Sequence, residues 1–349
     1  MPTNSKKSKK TESRLKRWLA NLKKRQVAFM SRRSHRSFQL SRRREYVRPL
    51  ALPGNFAFTH EVTRTLWRHR KIFLLLVATY VVFYAVLVGM QSQDTYSTLI
   101  DTLKETGQEA LSGGWGAIGQ ASLLLVSIAS PSALTEVSEA QQIFTVFIFL
   151  LTWLATVWLL RNILAGHKVK LRDGLYNSGS PIFATVIVSL FIAIQLIPVA
   201  IALIGYTAAL GSGLLDGGAA TMLFWIAAAL LALLSLYWIT SSLFAMIIVT
   251  LPGMYPYRAL RTAGDLVLGR RTKILLRWLW MMVTIVLAWA VVMIPAILLD
   301  MGLKSLWPAI QWLPVIPFFA LIMTAGSTVW AAAYVYMLYR KVVDYVEAE

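Results

Sequence analysis

The sequence predicts an all-helical integral membrane protein, a bundle of six transmembrane helices with both termini in the cytoplasm. Composition, the length of the apolar runs and the placement of basic residues carry this prediction. Of the 349 residues, 57% are hydrophobic and 15% are charged, which differs from a soluble globular average. The apolar residues are collected in uncharged runs of about 18 or more residues, the length that a helix needs to cross a bilayer.

Six such runs define a predicted transmembrane domain over residues 72–340. They cover residues 72–90, 143–160, 181–206, 219–251, 274–299 and 314–339. A large loop, 91–142, joins the first two runs. The fourth run is longer than a span requires, so we expect that span to be tilted or broken near residues 240–242.

The orientation follows from Lys and Arg, which membrane proteins retain in cytoplasmic loops. Basic residues are concentrated in the connections 161–172 and 258–277, and Arg340 and Lys341 follow the last run. The opposite connections carry few, since the loop 91–142 has one lysine against six acidic residues. Every connection therefore places both ends inside, with 341–349 as a cytoplasmic tail.

The segment 115–130 within the large outer loop is apolar but short for a span and rich in Gly and Ser. If it crossed the membrane, both later basic loops would lie outside, against the charge rule. We interpret it as a helix lying at the membrane surface, with a re-entrant element as the alternative.

Residues 1–54 form a basic, partly disordered and partly amphipathic cytoplasmic tail, with 17 Lys and Arg in residues 1–48. Helical spacing gives the tail one largely apolar face, which consists of Leu15, Trp18, Leu19, Leu22 and Phe29. A basic amphipathic helix of this kind suits the surface of an anionic membrane. The alternatives are a solvated disordered tail, an organelle transit peptide, and docking to a protein partner, RNA or the ribosome.

Prolines at positions 49 and 53 separate this tail from the next segment. Residues 55–71 are predicted to form a cytoplasmic elbow helix that leads into the first span. Its expected role is that of a connector.

The candidates for chemistry are few. The chain has no cysteine and four histidines, none in a His-Glu-x-x-His pattern, so we expect no metal site. The middles of the six runs carry no acidic or basic side chain, which argues against a proton-coupled or ion carrier. We expect no catalytic residues, no cofactor and no enzymatic activity.

Four polar residues within the runs are candidates for a cavity, namely Gln195, Thr240, Ser241 and Ser242. Gln195 would line a polar cavity beside a helix kinked near Pro198, or it would form a hydrogen bond between helices. The hydroxyl groups have no base at membrane depth, and such groups more often bond a carbonyl of their own helix.

The connection after the fourth run predicts an interfacial helix that ends near Gly269, with Leu260, Gly264, Val267 and Leu268 on its apolar face. Five basic residues are candidate contacts to lipid phosphates: Arg258, Arg261, Arg270, Arg271 and Lys273. Arg261 and Asp265 are spaced to pair on this helix. The simpler interpretation is a basic anchor that fixes the orientation.

Two patterns carry a resemblance. Residues 255–261 read Tyr-Pro-Tyr-Arg-Ala-Leu-Arg before Gly-Arg-Arg at 269–271, and 171–174 read Leu-Arg-Asp-Gly in the preceding basic loop. Over about residues 145–340 the chain resembles the membrane-domain family attached to glycerophosphoryl diester phosphodiesterases and related free-standing bacterial multi-pass proteins. The resemblance implies a helical bundle in a bacterial-type plasma membrane and no known reaction. The phosphodiesterase barrel is absent, so that activity does not carry over.

The function predicted from these observations is non-enzymatic. We expect a protein that handles lipids, anionic lipids above all, that organises the membrane, or that docks a partner through its tail. The alternative is a permease for a neutral or amphipathic solute, with Gln195, residues 240–242 and the segment 115–130 near its path.

Overall fold

The computed structural model describes residues 52–89, 138–212, 218–307 and 313–347. Every regular element within these ranges is an α-helix. The ten helices are α1 Asn55–Arg68, α2 Arg70–Leu87, α3 Glu139–Leu164, α4 Leu171–Ser178, α5 Ile182–Gln195, α6 Ile197–Gly211, α7 Gly218–Ile248, α8 Pro256–Val267, α9 Arg271–Leu306 and α10 Val315–Glu347. The predicted surface helix of the basic tail and the segment 115–130 lie outside the described residues.

Five of these helices, α2, α3, α7, α9 and α10, are each long and apolar enough to cross a membrane. The number of spans is six if α4 and α5, which meet at an angle of 69°, are counted as one broken span. The chain is therefore a helical bundle of the multi-pass membrane type.

The third apolar run differs from its prediction, because 181–206 is divided at Leu196 into α5 and α6. The Leu196 N–H bonds to the carbonyls of Ile192 and Ala193, both at 3.1 Å, which tightens the last turn of α5. Pro198 has no N–H to donate to the carbonyl of Ile194, so a regular helix cannot pass this point undisturbed. The proline accounts for the division.

The fourth run was expected to be tilted or broken near residues 240–242, but α7 is continuous through them. The hydroxyl of Thr240 donates to the Leu236 carbonyl at 2.6 Å, and that of Ser241 to the Trp238 carbonyl at 3.2 Å. Bonds of this kind satisfy a hydroxyl within its own helix. These residues consequently leave the helix intact.

Local sequence signals set several helix ends. Ser138 and Gln141 form a capping box at the start of α3, and the Gln141 amide also donates to the Val88 carbonyl at 2.9 Å. Pro256 occupies the first turn of α8, where a missing N–H is tolerated. Gly269, with φ +76°, makes the turn from α8 to α9 in a conformation that favours glycine.

The elbow helix α1 is fastened to the bundle. The Phe58 ring packs edge-on against Tyr334 at 4.8 Å. The Trp280 indole donates to the Thr59 hydroxyl at 2.9 Å, and Lys341 pairs with Glu61 at 2.8 Å. The elbow thus lies against α9 and the C-terminal part of α10.

One end of the bundle gathers α1, α4 and α8 around the C-terminal parts of α3, α7 and α10. We call it the basic end, because the connections rich in Lys and Arg lie there. Burial is concentrated towards this end. Over its most apolar 18 residues α3 is 56% buried, whereas α7 is 6% buried over the corresponding window, so much of α7 presents apolar side chains outwards, as a lipid-facing helix does.

Candidate functional site

A cavity of about 430 Å³ lies at the basic end. Its walls come from the end of α3, the turn between α4 and α5, and the segment that joins α7 to α8. The polar lining residues are Arg161, Asn177, Ser178, Ser180 and Thr250. The apolar lining residues include Leu154, Trp158, Pro181, Ala184, Val249 and Met254. The cavity is therefore amphipathic.

Arg161 supplies a positive charge to the lining of this cavity. Its guanidinium donates to the Thr250 carbonyl at 3.1 Å and also to the Thr250 hydroxyl. The Tyr336 hydroxyl lies beside the same guanidinium. Thr250 follows the last turn of α7, where backbone carbonyls lack helical donors and a cation is favourable. A guanidinium carries five N–H donors, so Arg161 has the capacity to bind a further acceptor in the cavity.

Helix α4 forms one wall because it lies close to α3. A Cβ at Gly174 would come within 2.8 Å of the Leu159 Cγ, so only a glycine permits this approach. The Lys170 N–H donates to the Asp173 carboxylate at 3.1 Å and caps the helix. The Asn177 side-chain amide donates to the Asp173 carbonyl at 2.7 Å, which leaves its oxygen as an acceptor.

The five basic residues predicted to contact lipid phosphates lie outside the cavity lining. Arg258, Arg261 and Lys273 are exposed. The Arg271 guanidinium lies 4.2 Å from the Tyr237 ring centroid, in a cation–π contact. Arg270 is only 1% exposed, which removes it from the surface where it was expected.

Helix α8 is amphipathic, but its buried face is centred one position away from the prediction. The buried residues are Ala259, Ala263 and Val267, with Leu260 and Gly264 half-buried. The small alanines let α8 approach α7 closely. The structure records no ion pair between Arg261 and Asp265, both of which are exposed described residues.

The four polar residues predicted to line a cavity also lie away from Arg161. Thr240 and Ser241 bond carbonyls of their own helix, and Ser242 is buried on the same helix. The Gln195 Oε1 atom is buried without a hydrogen-bond partner in the described part of the chain. The same holds for the hydroxyl of Ser235, which the sequence did not single out.

Sequence reasoning missed the cavity because its two central residues, Arg161 and Thr250, are 89 positions apart. Each has a local signal, since Arg161 closes the second apolar run and Thr250 precedes Leu-Pro-Gly at 251–253. Neither signal reveals their contact. Among the described residues, no group of three or more His, Asp or Glu side chains could hold a metal ion.

Fold and site together define a polytopic helical membrane protein with an amphipathic cavity at its basic end. Comparison of the chain with protein-family models, with curated proteins and with solved structures finds no match. The resemblance to the phosphodiesterase-associated membrane-domain family consequently stays a prediction.

Proposed function

We propose that the protein is a non-enzymatic lipid-handling protein that holds the phosphate-bearing headgroup of an anionic phospholipid in the cavity beside Arg161. The cavity lies in the cytoplasmic leaflet of a bacterial-type plasma membrane. The observation that carries the proposal is the placement of Arg161, a cation fixed by Thr250 in the wall of a cavity whose lining combines polar and apolar side chains.

The polar and the apolar lining residues match different parts of a phospholipid. Arginine binds phosphate through charge-assisted, often bidentate hydrogen bonds. The side chains of Asn177 and Ser180 offer further polar groups to a headgroup, whereas Leu154 and Trp158 suit the start of an acyl chain. The volume of about 430 Å³ lies within the range typical of small-molecule sites.

The surface near the cavity would concentrate anionic lipid. Lys168, Lys170 and Arg172 are exposed before and on α4, and each basic residue near an anionic membrane contributes about 1 kcal/mol. Exposed tyrosines at 176, 255 and 257 suit the headgroup region, where aromatic side chains anchor membrane proteins.

The test compares lipid retention by native mass spectrometry after extraction from a defined mixture of phosphatidylglycerol and phosphatidylcholine. Arg161→Gln should lower retention of phosphatidylglycerol about tenfold, because hydrogen bonds to charged groups contribute about 1.5–3 kcal/mol. Arg172→Gln is the matched control, since it removes the same charge from a residue outside the cavity lining. It should lower retention by no more than about fivefold, because it removes only the surface attraction of one exposed charge, about 1 kcal/mol.

A third variant separates lipid binding from folding. Thr250→Val removes the hydroxyl that helps to fix Arg161 but keeps the cation and its bond to the Thr250 carbonyl, so it should lose less phosphatidylglycerol than Arg161→Gln. Equal losses in Arg161→Gln and Arg172→Gln would mean that net charge alone retains the lipid, and the cavity proposal would fail.

A permease for a neutral or amphipathic solute is the second candidate. The buried, unpartnered Gln195 Oε1 atom favours it, because a polar group at membrane depth is a feature of solute paths. Proteoliposomes placed in glycerol would swell faster with the native protein than with Gln195→Leu. Swelling that the protein does not accelerate would remove glycerol-like solutes from consideration.

A further inference from the structure

Helices α5 and α6 run antiparallel to α7, and contacts between aromatic rings set how their residues align. The Tyr206 ring lies 5.7 Å from the Trp225 ring and 6.3 Å from the Phe224 ring, at the end away from the cavity. A helix rises by about 1.5 Å per residue, so these contacts set the register along α7. At the basic end Pro181 and Val249, which that register makes level, both line the cavity.

This register sets Gln195 level with Ser235. Gln195 lies 14 residues beyond Pro181, and Ser235 lies 14 residues before Val249. Counting inwards from the pair of rings at Tyr206 and Phe224 gives the same result, 11 residues on each helix. The two residues therefore share one depth, near the middle of α7.

Ser235 also faces the α5–α6 pair. It is 11 residues, about three full turns, from Phe224, so both side chains lie on one face of α7. That face contacts α6, because a Cβ at Gly205 would lie 3.6 Å from the Phe224 ring. Ser235 itself is 0% exposed.

Both residues have an unsatisfied polar atom. The Ser235 hydroxyl and the Gln195 Oε1 atom are buried without a hydrogen-bond partner in the described ranges. The hydroxyls of Thr156, Thr185 and Thr240 differ, since each donates to a carbonyl four residues earlier. The Tyr80 and Tyr334 hydroxyls are also buried without a partner in the described ranges, but they lie on α2 and α10. A buried polar atom without a partner is unfavourable, above all where no water is at hand.

The groups around Gln195 and Ser235 indicate which kind of ligand would satisfy their unpaired atoms. The Ile194 carbonyl, which lacks its usual helical donor because of Pro198, accepts a backbone N–H at the end of α5, so Gln195 supplies the acceptor of this site. Helices α5, α6 and α7 contain no acidic or basic side chain. A cation contacts α7 two residues from Ser235, where Arg271 lies over the Tyr237 ring, but that position is about 200° around the helix. A charged ligand would therefore find no counter-charge on the Ser235 face of α7, whereas a neutral hydrogen-bond donor would satisfy the amide oxygen.

We infer that Gln195 and Ser235 form a binding site for the hydroxyl group of an uncharged molecule dissolved in the membrane. The ligand hydroxyl donates to the Gln195 Oε1 atom and accepts from the Ser235 hydroxyl. Entry is from the bilayer, because Ile194, Leu196 and Ile197 at the helix break are exposed apolar residues. The site lies roughly 20 Å from the Arg161 cavity along α7 and does not depend on the headgroup proposal.

The experiment uses a long-chain primary alcohol that carries a diazirine and, as its matched partner, the methyl ether of the same compound. The ether keeps the oxygen but cannot donate a hydrogen bond. In proteoliposomes of the full chain, photolabelling mapped by mass spectrometry should mark α5 and α7, with the alcohol favoured over the ether roughly fivefold.

Gln195→Leu should abolish the preference for the alcohol, because it removes the acceptor that only the alcohol can use. Ser235→Ala should weaken labelling by the alcohol and the ether alike, because the oxygen of either probe can accept from Ser235. Ser189→Ala is the control on α5, because its hydroxyl already donates to the Val186 carbonyl at 2.8 Å. It should keep the preference. Equal labelling by alcohol and ether in the native protein, an alcohol preference that persists in folded Gln195→Leu, or labelling unchanged in folded Ser235→Ala would overturn the inference.

Discussion

Arg277 joins two segments that are far apart in the sequence. Its guanidinium donates to the carbonyl of Pro53, just before the elbow helix, and lies 5.8 Å from the Phe58 ring centroid. Three residues further along α9, Trp280 contacts Thr59 and Phe56. Single side chains of α9 therefore hold the start of α1 in place.

Replacing Arg277 with Gln should loosen the segment 52–58. A lost hydrogen bond from a charged group costs about 1.5–3 kcal/mol, so the variant should unfold at lower temperature and be cut faster by chymotrypsin at Phe56 and Phe58. Arg340→Gln is the control, since Arg340 meets Asp344 at 3.8 Å with both side chains well exposed. Such a pair contributes less than about 1 kcal/mol.

Identical proteolysis of the two variants would contradict the role assigned to Arg277. The sequence could not have predicted that role, because Arg277 and Pro53 are 224 positions apart. The same limit applies to Arg161 and Thr250. The hydroxyls are different, since the tendency of Thr240 and Ser241 to bond their own helix is a local property that the sequence does contain.

Among the helices, α4 is placed by close contact rather than by burial of large side chains. It has eight residues, too few for a stable isolated helix. Gly174 lets it lie against Leu159 of α3, and this contact holds the Asn177 and Ser178 side of the cavity. The packing of α4 and the shape of the cavity are consequently linked.

Gly174→Ala should destabilise the protein by about 1–3 kcal/mol, because the added methyl group overpacks the contact with Leu159. It should also weaken retention of phosphatidylglycerol by moving the α4 wall. Gly264→Ala in α8 is the matched control, since nothing lies within 4 Å of the position that its Cβ would take. There the better helix propensity of alanine should leave stability unchanged or raise it.

Thermal unfolding in one detergent and lipid retention by native mass spectrometry would measure both variants. A Gly174→Ala protein that matches Gly264→Ala in stability would show that α4 can shift without cost.

The element boundaries show which signals a sequence carries. Hydropathy located the long helices, because a bilayer demands long apolar runs. It could not divide 181–206, since both sides of the break at Leu196 are equally apolar. The local signal for this break is Pro198, whose effect on a helix is steric, and a helix kinked near Pro198 was one of the two predicted alternatives for Gln195. The break expected at 240–242 was inferred from the length of the apolar run, and a long run does not by itself interrupt a helix.

For the whole molecule, the sequence predicted the class of protein, a helical membrane bundle, but not the cavity. An apolar composition in long runs fixes a helical bundle, because only helices and closed barrels satisfy their backbone in lipid. The cavity instead needs α3, α4, α5 and the α7–α8 connection to meet, and that meeting depends on contacts such as Gly174 on Leu159. The concentration of buried residues at the basic end likewise depends on contacts between helices that are distant in the sequence.

The contact of Arg161 with Thr250 bears on how often the chain crosses the membrane. It joins the end of α3 to the end of α7, so both ends lie on one side. Because α7 is itself long enough to cross, we predict that α5 and α6 carry the chain across in the opposite direction, while α4 stays at the basic end. The described helices would then make up to six crossings, the third through a broken helix.

Cysteine labelling tests this topology directly, because the chain has no cysteine of its own. Tyr176→Cys on α4 and Tyr257→Cys on α8 replace strongly exposed side chains at the basic end, and Leu306→Cys does so at the far end of α9. A membrane-impermeant maleimide should label 176 and 257 only in inside-out vesicles and 306 only in intact cells. If 176 and 257 were labelled from opposite sides, α5 and α6 would not cross the membrane. If all three positions gave the reverse pattern, six spans would remain, but the basic end, with its cavity, would lie outside.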